Sequence, residues 1–175
     1  MFSELTLPQC SGRLRPIQMS DLDDLVRCAN NASVARFLMG RFPHPYTGSD
    51  GRSFLEKCAS GAAGHVFAIE IRSELVGTLG LRPGKFERSH TCHFGYWLAE
   101  PFWGRGIMTE AVRLVSDRVL RDLEFHRMET EVYSLNERSI RVLEKAGFVM
   151  EGRLRDAVIC DGKFYDDLIF ARLRN

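Results

Sequence analysis

The sequence predicts one mixed α/β (α+β) domain, on three observations. Leu22, Leu25, Val26 and Ala29 repeat at helical spacing, whereas from His65 onward the apolar residues run or alternate as they do in strands. A second and longer helical stripe, Met108, Ala111, Val112, Val115 and Val119, stands between strand-like segments. Near the C-terminus Asp161-Gly162 separates two extended runs, a strong hairpin signal. With 175 residues, 45% of them hydrophobic and 27% charged, the chain is long enough for a single domain over 1–175.

Taken in order, Arg13–Ile17 reads as an opening strand that Pro16 confines to an edge or an end. Ser20-x-x-Asp23 marks the start of a first helix, interrupted at Asn30-Asn31, and Val34, Phe37 and Leu38 suggest one more short helical turn. Met39–Gly48 holds Pro43, Pro45, His44, Phe42 and Tyr46, a loop able to line a cleft or cover the core. A helix over 50–60 turns Phe54, Leu55 and Cys58 inward and ends near Gly61. Val66–Ile71 and Leu75–Leu81 form a hairpin across Arg72-Ser73-Glu74, and Gly77 and Gly80 point to a bulge or a close backbone approach. After the polar stretch Pro83–Ser89, His90–Leu98 is a strand. The long helix follows, then the alternating strand Arg127–Val132, a short helix Ser139–Ala146 stopped by Gly147, and the two arms Phe148–Ile159 and Phe164–Ala171. The order is β-α-α-β-β-β-α-β-α-β-β, without repeat or linker.

Several function classes recede on composition. The formal net charge is +1, so neither sign points to nucleic acid or an anionic membrane. No apolar run approaches the ~20 residues of a membrane span, and Met1-Phe2-Ser3-Glu4 does not open a signal peptide. Cys10, Cys28, Cys58, Cys92 and Cys160 are scattered without a Cys-x-x-Cys pair, which suits a reducing, cytoplasmic setting. His90, Cys92 and His93 are close in sequence, but strand alternation turns His93 to the other face, so no metal site is expected.

The chemistry is concentrated in Glu100-Pro101-Phe102-Trp103-Gly104-Arg105-Gly106-Ile107-Met108-Thr109-Glu110-Ala111. Its glycines sit where a strand turns into a helix. The first turn of a helix has unpaired N–H groups and the positive end of the dipole, and glycine lets that backbone approach an anion such as a phosphate. Arg105 adds a cation. On the glycines alone an ordinary tight turn fits as well, since they match neither the dinucleotide fingerprint nor the P-loop pattern. Downstream, Asn136-x-x-Ser139 before an apolar helical run is an N-terminal cap.

Together the two stretches resemble the GNAT superfamily of acyl-CoA-dependent N-acyltransferases, and within it the RimJ- and RimL-type branch that acetylates ribosomal-protein N-termini. The likeness rests on Gly95-Tyr96-Trp97-Leu98, Trp103-Gly104-Arg105-Gly106, Thr109-Glu110-Ala111, Asn136-x-x-Ser139, Lys145-x-Gly147-Phe148, Glu151-Gly152 and Asp161-Gly162-Lys163-Phe164-Tyr165-Asp166. It runs from Arg13 to Arg172, and the element order is the family's.

The resemblance implies a single mixed, mostly antiparallel sheet flanked by helices, with a splayed central pair formed by His90–Leu98 and Arg127–Val132. The pantetheine arm of acetyl-CoA would pair with the backbone at Leu98 and Ala99. Amides from Arg105 through Gly106, Ile107 and Met108 to Thr109 would hold the pyrophosphate, with Trp103 and Gly104 also among the cofactor-binding residues. Trp103 and Met108 depart from the superfamily's usual Gln or Arg and Gly or Ala. Asn136 would hydrogen-bond the arm near the acyl group.

The reaction would be direct attack of an amine on the thioester. It needs an oxyanion donor, for which an N–H near Leu98 would serve, and a proton for the leaving thiolate. Many members use a Tyr for that proton where this chain has Leu143, so Ser139 becomes the candidate acid, alongside its role at the helix cap. The RimL-type glutamate base aligns with Val158, leaving Glu100, Glu131 and His93 as candidates by proximity. The implied acceptor is a protein N-terminal amine. A polyamine, amino acid or aminoglycoside is the alternative, and a non-catalytic acyl-CoA-binding module a second one. The expected co-substrate is acetyl-CoA without a metal, in a monomer or homodimer.

Overall fold

The computed structural model describes residues 4–38, 42–123 and 125–174. Met39–Arg41 of the expected cleft loop therefore lie outside the described residues. The strands are β1 (Leu5–Leu7), β2 (Gly12–Pro16), β3 (His65–Ile71), β4 (Glu74–Pro83), β5 (Thr91–Leu98), β6 (Arg127–Tyr133), β7 (Val149–Cys160) and β8 (Lys163–Leu173). The helices are α1 (Leu22–Ala29), α2 (Ala32–Ala35), α3 (Gly48–Ala59), α4 (Ile107–Asp122) and α5 (Glu137–Lys145), with short 3-10 turns between elements. The sheet order is β1-β2-β3-β4-β5-β6-β8-β7. Its recorded pairings are antiparallel apart from β5 with β6. The chain divides into two compact units, Met1–Arg82 with Gly95–Ile107, and Pro83–Phe94 with Met108–Asn175.

In the first unit β2 pairs β3 and β3 pairs β4, so Leu14, Ile69, Phe67 and Leu79 are sealed from solvent. Leu25, Cys28 and Ala29 of α1 and Leu55 of α3 meet Val34, Tyr46, Ala68, Leu75, Trp97 and Ala99 in one apolar cluster. The first helix starts differently from the Ser20-x-x-Asp23 expectation. Met19–Asp21 is a 3-10 turn, and the reciprocal cap joins Gln18 to Asp21. The Asp21 carboxylate accepts the Gln18 N–H at 2.8 Å and both ends of the Arg15 guanidinium at 2.6 and 2.9 Å. Arg15, six residues upstream in β2, thus holds the capping residue. α3 is capped as its sequence suggests, Thr47 and Asp50 each bonding the other's backbone.

Gly77 shows the close approach anticipated for β4. A Cβ built there would lie 2.4 Å from the Trp97 carbonyl oxygen and 3.0 Å from the Leu98 Cα. The end of β5 thus rests directly on the β4 backbone.

In the second unit the parallel register joins Thr91, Cys92 and His93 to Arg127, Met128 and Glu129. On its other edge β6 is in register with β8 from Arg127↔Leu173 to Tyr133↔Asp167. Met108, Ala111, Val112, Val115 and Val119 of α4 are buried, as their spacing requires. Arg172 on β8 ties the helices together. It donates to Ser116 Oγ at 2.7 Å, to Asp117 at 2.6 Å and to the Ala146 carbonyl at 3.3 Å. The β7–β8 hairpin turns at Asp161-Gly162, both with positive φ. Among the described residues no helix is long and apolar enough to cross a membrane.

Candidate functional site

The glycine turn opens on a 3-10 turn at Glu100–Phe102, after which Trp103 is extended. Gly104 and Gly106 follow at φ +75° and +77°. Nothing stands within 4 Å of a Cβ built on Gly104, and the nearest atom to one on Gly106 is Gln9 Oε1 at 3.9 Å. Glycine is required here by the sign of φ rather than by crowding. Gly104, Arg105 and Gly106 are exposed while Ile107 and Met108 are buried, so the turn presents backbone to solvent on a seated helix. The Arg105 guanidinium lies 5.5 Å from the centre of the Phe102 ring.

Two hydrogen bonds fix this turn to the end of β5. The Trp103 indole N–H donates to the Leu98 carbonyl at 2.6 Å. Ala99 donates its N–H to the Val76 carbonyl at 2.8 Å and accepts the Phe102 N–H at 2.9 Å. Both backbone groups of Ala99 are thus used internally, and strand alternation turns those of Leu98 to the opposite edge from Val76. Trp103, a departure from the family pattern, is the residue that braces the Leu98 carbonyl. Trp103→Phe removes the indole donor and keeps the ring. It is expected to lower stability by about 1 kcal/mol and to raise the KM for acetyl-CoA severalfold. Measured by thermal melts and thiol release, an unchanged KM would separate the brace from the cofactor.

Asn136 caps α5, its side-chain oxygen accepting the Ser139 N–H at 3.2 Å. Its own N–H donates to the Tyr133 carbonyl at 2.8 Å. A carboxamide keeps donors on its nitrogen, so capping and ligand binding are compatible. Ser139 is half-buried in the first turn of α5, and Leu143 is completely buried. The position of the family tyrosine has therefore become core.

The base candidates are variously engaged. Glu100 accepts from Asn31 Nδ2 at 2.9 Å. His93 Nε2 lies 3.2 Å from Glu129, whose carboxylate also takes Arg127 at 2.6 Å and Arg88 at 3.3 Å. Glu131 is exposed. One group escaped the sequence reading: Asp167, in β8 directly opposite Tyr133, is 6% exposed and its Oδ1 has no hydrogen-bond partner. Burial pushes its carboxyl above the ordinary value and nearby Glu131 pushes the same way, against one backbone bond from Leu168. Tyr133 is raised too, by burial first and then by Asp167 and Cys160. The visible signal was a charged pair, Asp166-Asp167, inside a strand that otherwise reads apolar.

A family model described as an acetyltransferase (GNAT) domain matches residues 13–149. The chain is 34% identical over 168 residues to the protein named "Probable N-acetyltransferase YjcK" of Bacillus subtilis strain 168, covering 91% of this chain and 92% of that one. It is 28% identical over 158 residues to the spermidine N(1)-acetyltransferase of Escherichia coli K12, covering 88% and 81%. Among solved structures, Mycobacterium smegmatis RimJ in complex with a CoA disulfide superposes with a TM-score of 0.82 at 26% identity, over 98% of this chain and 86% of that one.

Proposed function

The chain belongs to the GNAT acetyltransferase family and is an acetyl-CoA-dependent N-acetyltransferase, and on that premise we propose that its acceptor is the free α-amine of a protein N-terminus. The likeness to the ribosomal protein uS5-alanine N-acetyltransferase of Escherichia coli K12, 30% identical over 82 residues that span 47% of this chain and 42% of that one, supports this acceptor. The observation that carries it is the uncharged segment Phe42–Gly48, whose half-buried Phe42 packs on the core through the buried rings of Tyr46 and Trp97. Phe42 stacks on Tyr46 with ring centres 4.9 Å apart and meets Trp97 edge-on at 6.0 Å. The segment Phe42–Gly48 bears no carboxylate. A half-buried apolar ring in a segment without carboxylates suits the uncharged first side chain of a peptide better than a polycation.

In this proposal the amides from Arg105 to Thr109 hold the pyrophosphate at the start of α4. The Leu98 edge pairs with the pantetheine arm, and Asn136 donates to the same arm. The amine nitrogen attacks the thioester carbon, the C–S bond breaks, and Ser139 delivers a proton to the departing sulfur, directly or through a water.

The test is thiol release from acetyl-CoA with an acceptor panel: a peptide with a free N-terminus, the same peptide N-blocked but carrying a lysine, and spermidine. The free N-terminus is expected to give the highest kcat/KM, by about tenfold or more. A small polycation is the second reading, favoured by the carboxylates of Glu131 and Asp167 on one face of the sheet. Spermidine leading the panel would establish it instead.

A further inference from the structure

The Asp167 carboxylate is a buried anion with an unpartnered oxygen, in the same compact unit as Asn136 and Ser139. Facing residues in the β6–β8 ladder put Tyr133 directly across from Asp167, and Glu131 two residues back on the same face. On the β7 side Leu154 is opposite, and Cys160 lies close enough to act on Tyr133. Tyr165 shares the face within β8 itself. The titrating groups on this face are therefore Glu131, Tyr133, Cys160 and Tyr165, with Lys163 farther along β8 opposite Cys160, and Glu131 is the charged group that acts on Asp167. The adjacent Asp166 is different: it points to the opposite face and is neutralised by Arg153 and the Asp156 N–H.

The position also relates to the residue assigned to the acyl end of the cofactor. Tyr133 accepts the Asn136 N–H at 2.8 Å, and the Ser134 N–H donates to the Asp166 carbonyl at 2.9 Å. Asp167 is thus anchored beside the C-terminal end of β6, one turn of chain from Asn136.

A buried carboxylate oxygen without a donor is costly, of the order of 1–3 kcal/mol or more. A charged acceptor amine would supply the missing N–H. We propose that Asp167 is the general base of the reaction, binding the acceptor's ammonium beside Glu131 and Tyr133 and removing its first proton. This rests on the amine-acetylation function above.

The step balances without a further reagent. R–NH3+ gives one proton to the Asp167 carboxylate, which returns it to solvent. The neutral amine attacks the thioester carbon to form N–C. Collapse breaks C–S, the nitrogen loses its second proton, and the thiolate takes one. The products are the amide, CoA thiol and one net proton.

Asp167→Asn keeps the shape and removes the base. With saturating acetyl-CoA, kcat/KM for the best acceptor is expected to fall about a hundredfold. The loss should be larger for a lysine-type amine of pKa ~10.4 than for an α-amine near ~8, and should shrink as pH rises. Acetyl-CoA affinity by calorimetry should stay within about twofold, since a base contributes nothing to pyrophosphate binding. An Asn variant that keeps wild-type kcat/KM overturns the inference and leaves the acetyltransferase intact. Wild-type protein that binds no CoA overturns both. Should the Asn variant not fold, Asp167→Glu decides: the acid limb of its pH–kcat/KM profile must move with the new carboxyl group, and a limb that stays in place refutes the role.

Discussion

Gly106→Val is expected to weaken acetyl-CoA binding by about tenfold to a hundredfold while the protein remains folded. Gly106 has φ +77° and no atom nearer than 3.9 Å to its Cβ position, so a side chain meets no wall. The difficulty lies in the backbone. A β-branched residue in the left-handed region costs about 1–3 kcal/mol, and it can escape that cost by changing the sign of φ. The change would swing the peptide N–H groups at the mouth of α4 away from their common direction. Hydrogen bonds from such amides to a charged phosphate contribute about 1.5–3 kcal/mol each, and each 1.4 kcal/mol is a factor of ten in Kd. Loss of one or two therefore gives the stated range. Calorimetric titration with CoA, together with a thermal melt, reads both effects. A Kd equal to that of the wild type would show that the pyrophosphate is held elsewhere.

Much of the frame was legible because it is encoded locally. The apolar stripe of α4, the alternation in Arg127–Val132 and the Asp161-Gly162 turn each state their conformation within a few residues. The glycine turn was legible for the same reason: a positive φ is a requirement of the chain itself. Features set by partners in other elements were not. The first helix begins after Asp21 rather than at Ser20 because Arg15, from β2, holds the Asp21 carboxylate. β1 is three residues long, too short for a period to show. The β3–β4 hairpin, expected across Arg72-Ser73-Glu74, does turn on Arg72 and Ser73 at φ 52° and 65°; its flanking strand runs made it legible although no glycine marks the turn.

The candidate site divides along the same line. Trp103 read as a mere departure from a pattern until its indole was found on the Leu98 carbonyl. Asp167 was passed over within the final strand, since nothing near it in sequence reveals that β6 and β7 flank β8 on both edges. Its burial is a property of the sheet, and so is the shift that burial causes. A strand's polar residue becomes informative only when its neighbours are known.

Arg15→Met is expected to cost about 3–5 kcal/mol, and the cost should shrink in acid. The Arg15 side chain is 12% exposed and bridges two buried carboxylates, Asp21 at 2.6 Å and Glu70 at 2.5 Å, whose side chains are 6% and 10% exposed. Removing one member of such a buried set leaves its partners charged and unpaired, the expensive case. Arg13 also reaches Glu70, at 2.7 Å, but is 46% exposed and cannot replace the lost bridge to Asp21. At neutral pH the melting temperature should drop by about 10 °C. The sign of the pH effect follows from Glu70, whose carboxyl is held below its ordinary value, first by the Arg13 hydrogen bond and then, against burial, by Arg15. A depressed carboxyl contributes stability that is present above its unfolded value, ~4.3, and is lost as pH falls through the lower folded value. The wild type forfeits that contribution between about pH 4 and the folded value, whereas the Met variant has less to lose. Melting temperatures of the two proteins should therefore converge as pH is lowered from 7 toward 3. A gap that stays constant over that range would mean the stabilisation comes from the packing of the Arg15 side chain rather than from its charge.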